Sequence, residues 1–162
     1  MCIKKMIGWI FILVLLTGCA VGNKYNYRVA EISLPLKGSE EVSLSVIDKR
    51  LYVLSGSKAS NFIGLQRGGY GNPFNVTTLS GAPLSDDMFF SIQNALEKNG
   101  FIVSSSHFSS PNSTTILTLN KSHGFNKSIV LTINEWKTDA VMKLRLIYNL
   151  QLNVIDSDGA II

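Results

Sequence analysis

Apolar and polar positions alternate with a period of two through much of this chain, and the period lengthens to that of a helix once. Ile32, Leu34 and Leu36 alternate with Ser33, Pro35 and Lys37. Pro35 has no N–H to donate, so this piece is an edge strand or an extended arm. Val42, Leu44 and Val46 alternate with Ser43 and Ser45 into Ile47-Asp48, which predicts a half-buried strand. Leu51 to Leu54 either continues it or forms a second short strand. Met88, Phe89, Ile92, Ala95 and Leu96 then recur at helical spacing, with Ser85 as N-cap and Asp86 and Asp87 set against the dipole of the first turn. Lys98 sits in the last turn and Gly100 stops the element, so the helix runs from Asp86 to Asn99. Phe101-Ile102-Val103, Thr115 to Leu119 and Ile129 to Trp136 read as strands.

The longest alternation comes last. Leu144, Leu146, Tyr148, Leu150, Leu152 and Val154 occupy one face, and Lys143, Arg145, Asn149, Gln151 and Asn153 occupy the other, broken by Ile147. That pattern predicts an antiparallel sheet with one wet face. Asp156-Ser157-Asp158-Gly159 is hairpin-turn chemistry. Ile162 falls inside the strand that should return from it, which predicts a truncated sequence. Together these elements predict a single α+β domain, a mixed and mostly antiparallel sheet with one main helix packed on one face.

Between Ser55 and Pro83 the chain is dense in Gly, Ser, Asn and Pro, so a long loop is expected, interrupted by short extended pieces at Asn61 to Gly64 and Val76 to Leu79. Its run Gly64-Leu65-Gln66-Arg67-Gly68-Gly69-Tyr70-Gly71 invites a phosphate-loop reading. The Lys-Ser or Lys-Thr that such a loop needs is replaced by Asn72-Pro73, so a flexible loop is favoured. Arg67 and Tyr70, at its tip, are good partner-contact residues.

The first residues set the address. Lys4 and Lys5 precede an apolar run from Met6 to Leu16, about half of the ~20 residues that a membrane span requires. A cationic flank, a short apolar middle and small residues at its end form a secretory signal. Leu16-Thr17-Gly18-Cys19 resembles the lipobox of bacterial lipoproteins. The resemblance implies diacylglycerol on the Cys19 thiol, cleavage after Gly18, and acylation of the new amine. One acyl chain binds a bilayer only marginally and several hold it stably. The organisation expected is a signal peptide at 1–18, a lipidated N-terminus and tether at 19–40, and the domain at 41–162. Ala20, a residue other than aspartate after the cysteine, implies by the same resemblance an outer-membrane address facing the periplasm.

Composition changes this picture little. Loss of Lys4 and Lys5 lowers the formal charge by two from +4, and Lys121, His123, Lys127 and Lys137 are scattered rather than gathered in a stripe. Nucleic acid is therefore not an expected partner. Cys2 leaves with the signal and Cys19 goes to lipid, so the domain must fold on a hydrophobic core without disulfides or thiolate ligands.

Candidate chemistry is sparse. Asp48 and Arg50, two apart on a strand, point the same way about 7 Å apart along the backbone. They form a local ion pair or, on the sharper reading, an anion or partner site. His107 and His123 lack ligand spacing, and no Gly-x-Ser-x-Gly elbow appears. Glu135 alone is no glycosidase pair. No catalytic residue, metal ligand or cofactor is expected, and the protein is read as a non-enzyme.

The order of features carries one further resemblance. A lipobox is followed by Val46-Ile47-Asp48-Lys49-Arg50, a glycine-rich loop, Ala95-Leu96-Glu97-Lys98-Asn99-Gly100-Phe101, Val130-Leu131-Thr132-Ile133-Asn134-Glu135-Trp136, and the long strand to Asp158-Gly159. From Glu41 to Ile162 this resembles the uncharacterised YajG-like bacterial lipoproteins and, more distantly, the auxiliary lipoproteins of envelope lipid-transport systems. The resemblance implies an envelope α+β domain with no established activity. The expected function is a membrane-anchored binding or assembly module with an envelope protein partner. A carrier of lipid or another apolar ligand beside a transporter, and a periplasmic hydrolase of unrecognised type, are the alternatives.

Overall fold

The computed structural model describes residues 22–105, 125–140 and 143–162. Among these residues seven strands form one sheet: β1 (Lys24–Tyr25), β2 (Glu41–Asp48), β3 (Phe62–Arg67), β4 (Pro73–Thr78), β5 (Ile102–Ser105), β6 (Lys127–Ala140) and β7 (Leu144–Asp156). Two helices are described, α1 (Leu51–Leu54) and α2 (Leu84–Lys98). The spatial order is β1-β4-β3-β6-β2-β5, with β7 on the other edge of β6.

This overturns the expected α+β sheet with one main helix. The described residues are mostly β, 45% strand against 16% helical, and the sheet is a curled, mixed half-barrel. Nor is it mostly antiparallel among the described residues. β1–β4, β2–β5, β2–β6 and β3–β6 are parallel, and only β3–β4 and β6–β7 are antiparallel. Alternation reports which face a residue occupies, not the direction of its neighbour, so the pattern could not reveal this.

The organising element is β6. Antiparallel β7 runs along one of its edges from Lys127 to Ala140. The other edge carries two strands in succession, β2 beside Lys127 to Ile133 and β3 beside Thr138 to Ala140. Strands this long coil through their natural twist, which is how one sheet curls into a half-barrel.

Several local expectations also change. β2 is buried on both faces, not one, as strands paired in parallel on both edges commonly are. Ser43 and Ser45 are small enough to be enclosed there, with the Ser43 and Ser128 hydroxyls 2.5 Å apart. Leu51–Leu54 is a helical turn rather than a strand. The expected loop from Ser55 to Pro83 contains the β3–β4 hairpin. Gly64, at φ +156, lies where a Cβ would strike both the side chain and backbone of Thr138, so glycine permits the approach of β3 to β6. The long helix begins at Leu84, after Pro83, and Ser85 makes no cap. Gly100 does end it, at φ +94, and lies against the carbonyl of Gly38.

The helix buries Leu84, Met88 and Leu96 against the sheet. Leu84 and Met88 join Ile63, Val76, Leu131 and Ile133, while Leu96 joins Val42 and Leu44. Ile47, Val130 and Ile155 form a separate cluster. They share a face with Ser45, Ser128 and Thr132, opposite the helix layer. Where a tether is expected, Lys24–Tyr25 adds a strand beside β4. The segment after it folds back: Tyr27 meets Trp136 edge to face at 5.8 Å and accepts its indole N–H at 3.2 Å, and Gly38 N donates to Asn99 O at 3.1 Å.

Candidate functional site

β2 ends at Asp48 and β3 begins at Phe62, yet β6 continues between them. Its residues from Asn134 to Lys137 therefore face a gap between two strands. A backbone polar group left unpaired in such a place costs about 1–3 kcal/mol. The segment after β2 supplies what is missing. Lys49 N donates to Ile133 O at 2.8 Å, and the Tyr52 hydroxyl donates to Trp136 O at 2.9 Å.

Arg50 sits at the centre of this gap with no exposed surface. Its Nε and Nη2 donate to the two Asp48 carboxylate oxygens at 2.8 and 2.6 Å. Nη2 also reaches Ser60 O at 2.8 Å, and Nη1 reaches Phe62 O at 2.5 Å and Trp136 O at 3.5 Å. A guanidinium is suited to this because it presents five donors in a rigid plane and holds a carboxylate with two of them. Burial pulls the Arg50 pKa down, but the hydrogen bonds and charge of Asp48 more than offset it, and the net shift is upward. Burial, and after it the Glu135 carboxylate, pushes the Tyr52 hydroxyl up to about 12, although its proton goes to the Trp136 carbonyl. Asp48 and Arg50 thus form the local ion pair, and the guanidinium joins β2, β3 and β6 from inside.

Arg67 and Tyr70 separate in role. Arg67, at the end of β3, grips Asp139 of β6 with Nε at 3.0 Å and Nη2 at 2.9 Å. The hydrogen bond from Arg67 holds the Asp139 carboxyl below its usual range, and the same bond raises the arginine. Tyr70 has no such engagement and is 99% exposed at the hairpin turn.

Asp86 and Asp87 separate too. Asp86 is exposed at the helix start, while Asp87 is fully buried. The Ser80 hydroxyl donates to Asp87 at 2.8 Å, and Arg28 lies 3.3 Å from its other oxygen and over the ring of Phe90. Asp87 is therefore a clasp for the N-terminal segment as well as a first-turn charge. The spacing within the helix gave no hint of this, because both partners come from outside it.

The surface feature that sequence reading missed lies on β7. Leu144, Leu146, Tyr148, Leu150 and Leu152 share the face that carries the helix elsewhere on the sheet, opposite Ala140, Thr138, Trp136, Ile133 and Leu131. Alternation alone would bury them. Instead all five are exposed, Leu144 at 66% and Leu152 at 62%, because α2 packs over β2 and β5 and makes no comparable contact with β7. Among the described residues the outer edge of β7 is also open along most of its length. Among the described residues only its far end is paired, where Ile162 N donates to Val154 O and Asp156 N to Ala160 O. The Asp156–Gly159 turn is formed, with the Asp156 carboxylate accepting from the amides of Asp158 and Ala160.

Cys19 and the whole signal segment, His107, His123, Lys121 and the expected strand at Thr115 to Leu119 lie outside the described residues. Among the described residues no three His, Cys, Asp or Glu side chains gather as metal ligands. No described helix is long and apolar enough to cross a membrane.

No family model matches the sequence, and no curated protein matches it. Solved structures do. A protein of Xanthomonas campestris from the family DUF330 superposes with a TM-score of 0.45 at 11% identity, over 88% of this chain and 68% of its own. PelC from Paraburkholderia phytofirmans, solved as a dodecamer, superposes with a TM-score of 0.40 at 15% identity, over 82% of this chain and 71% of its own.

Proposed function

We propose that this protein is a lipid-anchored lipoprotein of the bacterial cell envelope, held at the outer membrane and facing the periplasm, and that it acts without catalysis as a binding or assembly module. The anchor rests on Leu16-Thr17-Gly18-Cys19 behind its apolar run, and the YajG-like order of features belongs to the same reading. The observation that carries the binding role is the leucine face of β7. Five large apolar side chains are exposed side by side on a strand whose outer edge is open from Leu144 to Asn153 among the described residues. An open edge invites an added strand, and an apolar face beside it invites a packed helix. Contiguous apolar surface of this kind marks an interaction site more often than isolated exposed residues do.

A second reading, a carrier of lipid or another apolar ligand, draws support from an open groove of about 490 Å³ between the N-terminal arm and α2. Val29, Ile32 and Ala95 line it, together with the polar Glu31, Asn94 and Lys98. The space between helix and sheet is filled by the core.

A photo-crosslinking residue at Leu146 of the full lipoprotein, activated in intact cells, separates the readings. A protein adduct lost on Leu152→Ser supports the binding module. Adducts with lipid alone would replace it with the carrier. Leu152→Ser should leave folding stability within about 0.5 kcal/mol, as exposed positions do. For the anchor, labelling by a palmitate analogue should vanish in Cys19→Ser, and label that persists would overturn it.

A further inference from the structure

The pairing of β1 fixes the end of the sheet at which the N-terminal chain enters. β1 runs parallel to β4, with Lys24 beside Thr77 and Tyr25 beside Thr78. Thr77 N donates to Asn23 O at 3.2 Å, and Asn23 N is 3.3 Å from the Gln66 side-chain oxygen. Gly22 lies so close to β4 that a Cβ there would strike the Asn75 backbone. Because the strands are parallel, tracing the chain back from Tyr25 to Gly22 moves down β4 from Thr78 to Asn75, towards the β3–β4 turn. Three more residues lead back to Cys19, and their contour is at most about 11 Å. Asn75 is itself only about 10 Å of strand from Asn72, where the turn begins. The chain therefore enters β1 from the end of the sheet that carries the turn, with Cys19 three residues before Gly22 in sequence.

That turn is built to project a ring. Gly68 N donates to Asn72 O at 2.9 Å and Gly71 N to Gly68 O at 2.8 Å, which closes it. Tyr70 stands 99% exposed between Gly69 and Gly71, neither of which carries a side chain to hold the ring off a surface. One cation reaches towards this end: Lys58 has no carboxylate within ion-pair distance among the described residues, and its ammonium donates to Asn75 at 2.7 Å.

We propose that the β3–β4 turn is a second membrane contact, with the Tyr70 ring seated in the headgroup region of the bilayer that holds Cys19. This rests on the lipid-anchor reading of Cys19. A tyrosine is suited to that depth because its ring is apolar and its hydroxyl is wet. Lys58 favours an anionic lipid surface. Two attachment points fix the orientation of the domain, where a lone lipid would leave it free to tumble.

The test uses the full lipoprotein carrying Tyr70→Trp, reconstituted in vesicles of phosphatidylethanolamine with a minor fraction of phosphatidylglycerol, with and without brominated acyl chains. A parallel Leu79→Trp variant probes the opposite end of β4, and the mass of the N-terminal peptide reports the state of Cys19. The contact predicts a blue-shifted emission for Tyr70→Trp, quenched by the brominated lipid, with neither change for Leu79→Trp beyond that of the native protein. Absence of quenching at the turn while Cys19 carries lipid overturns the contact and leaves the anchor standing. An unmodified Cys19 overturns the anchor. Quenching in that same sample would still uphold the contact, and its absence would remove both.

Discussion

Replacing Arg50 by methionine keeps most of the length and apolar stem of the side chain and removes its five N–H groups. The Asp48 carboxylate, whose side chain is 12% exposed, would then lose its charged partner. The carbonyls of Ser60, Phe62 and Trp136 would each lose a donor as well. Breaking a buried ion pair from one side costs about 3–5 kcal/mol, chiefly through the charge left behind. The lost carbonyl bonds belong to the same network and do not add independently. We expect Arg50→Met to lower stability by about 4 kcal/mol out of the ~5–15 available to a domain of this size. In urea, with a slope of about 2 kcal/mol per molar, the midpoint would fall by about 2 M. The double variant Asp48→Asn/Arg50→Met should recover part of that loss, because no orphan charge remains. Far-UV circular dichroism during urea unfolding provides the comparison. A single variant within about 1 kcal/mol of the native protein, or a double variant no better than the single one, would refute the account of the junction.

Two further perturbations test neighbouring parts of it. The Tyr52 pKa of about 12 lies above its ordinary value of 10.0, so the folded state holds this proton more tightly than the unfolded chain. The resulting stability is intact below pH 10 and is lost as pH rises towards 12; Tyr52→Phe should flatten that decline while costing about 1 kcal/mol at neutral pH for the lost bond to Trp136. Alkaline urea titrations of the two proteins measure both effects, and identical slopes would remove Tyr52 as the cause. Gly64→Ala would place its methyl within 2.7 Å of the Thr138 backbone nitrogen, so β3 must separate from β6 at a cost of about 1–3 kcal/mol, read as a lower melting temperature with faster amide exchange at Thr138 to Ala140.

What the chain announced by itself was local. The 3.6 spacing from Met88 to Leu96 produced a helix within two residues of its expected ends, and Gly100 stopped it, because the conformation at a helix end is settled by the residue that occupies it. Asp156 to Gly159 turned for the same reason. The pairing of Asp48 with Arg50 was also visible, since residues two apart on a strand share a face.

Tertiary structure decided everything that depends on a distant neighbour. Ser43 and Ser45 read as the wet side of β2, yet they are buried on the face that carries Ile47, Val130 and Ile155. Leu144 to Leu152 read as a core face, yet the helix that would cover them lies over other strands. Arg67 met Asp139 across 72 residues of sequence, and nothing local to either could select the other. Periodicity records which side a residue faces. Whether that side is covered, and by what, depends on strand direction and on the order of strands across the sheet, and those are properties of the assembled fold.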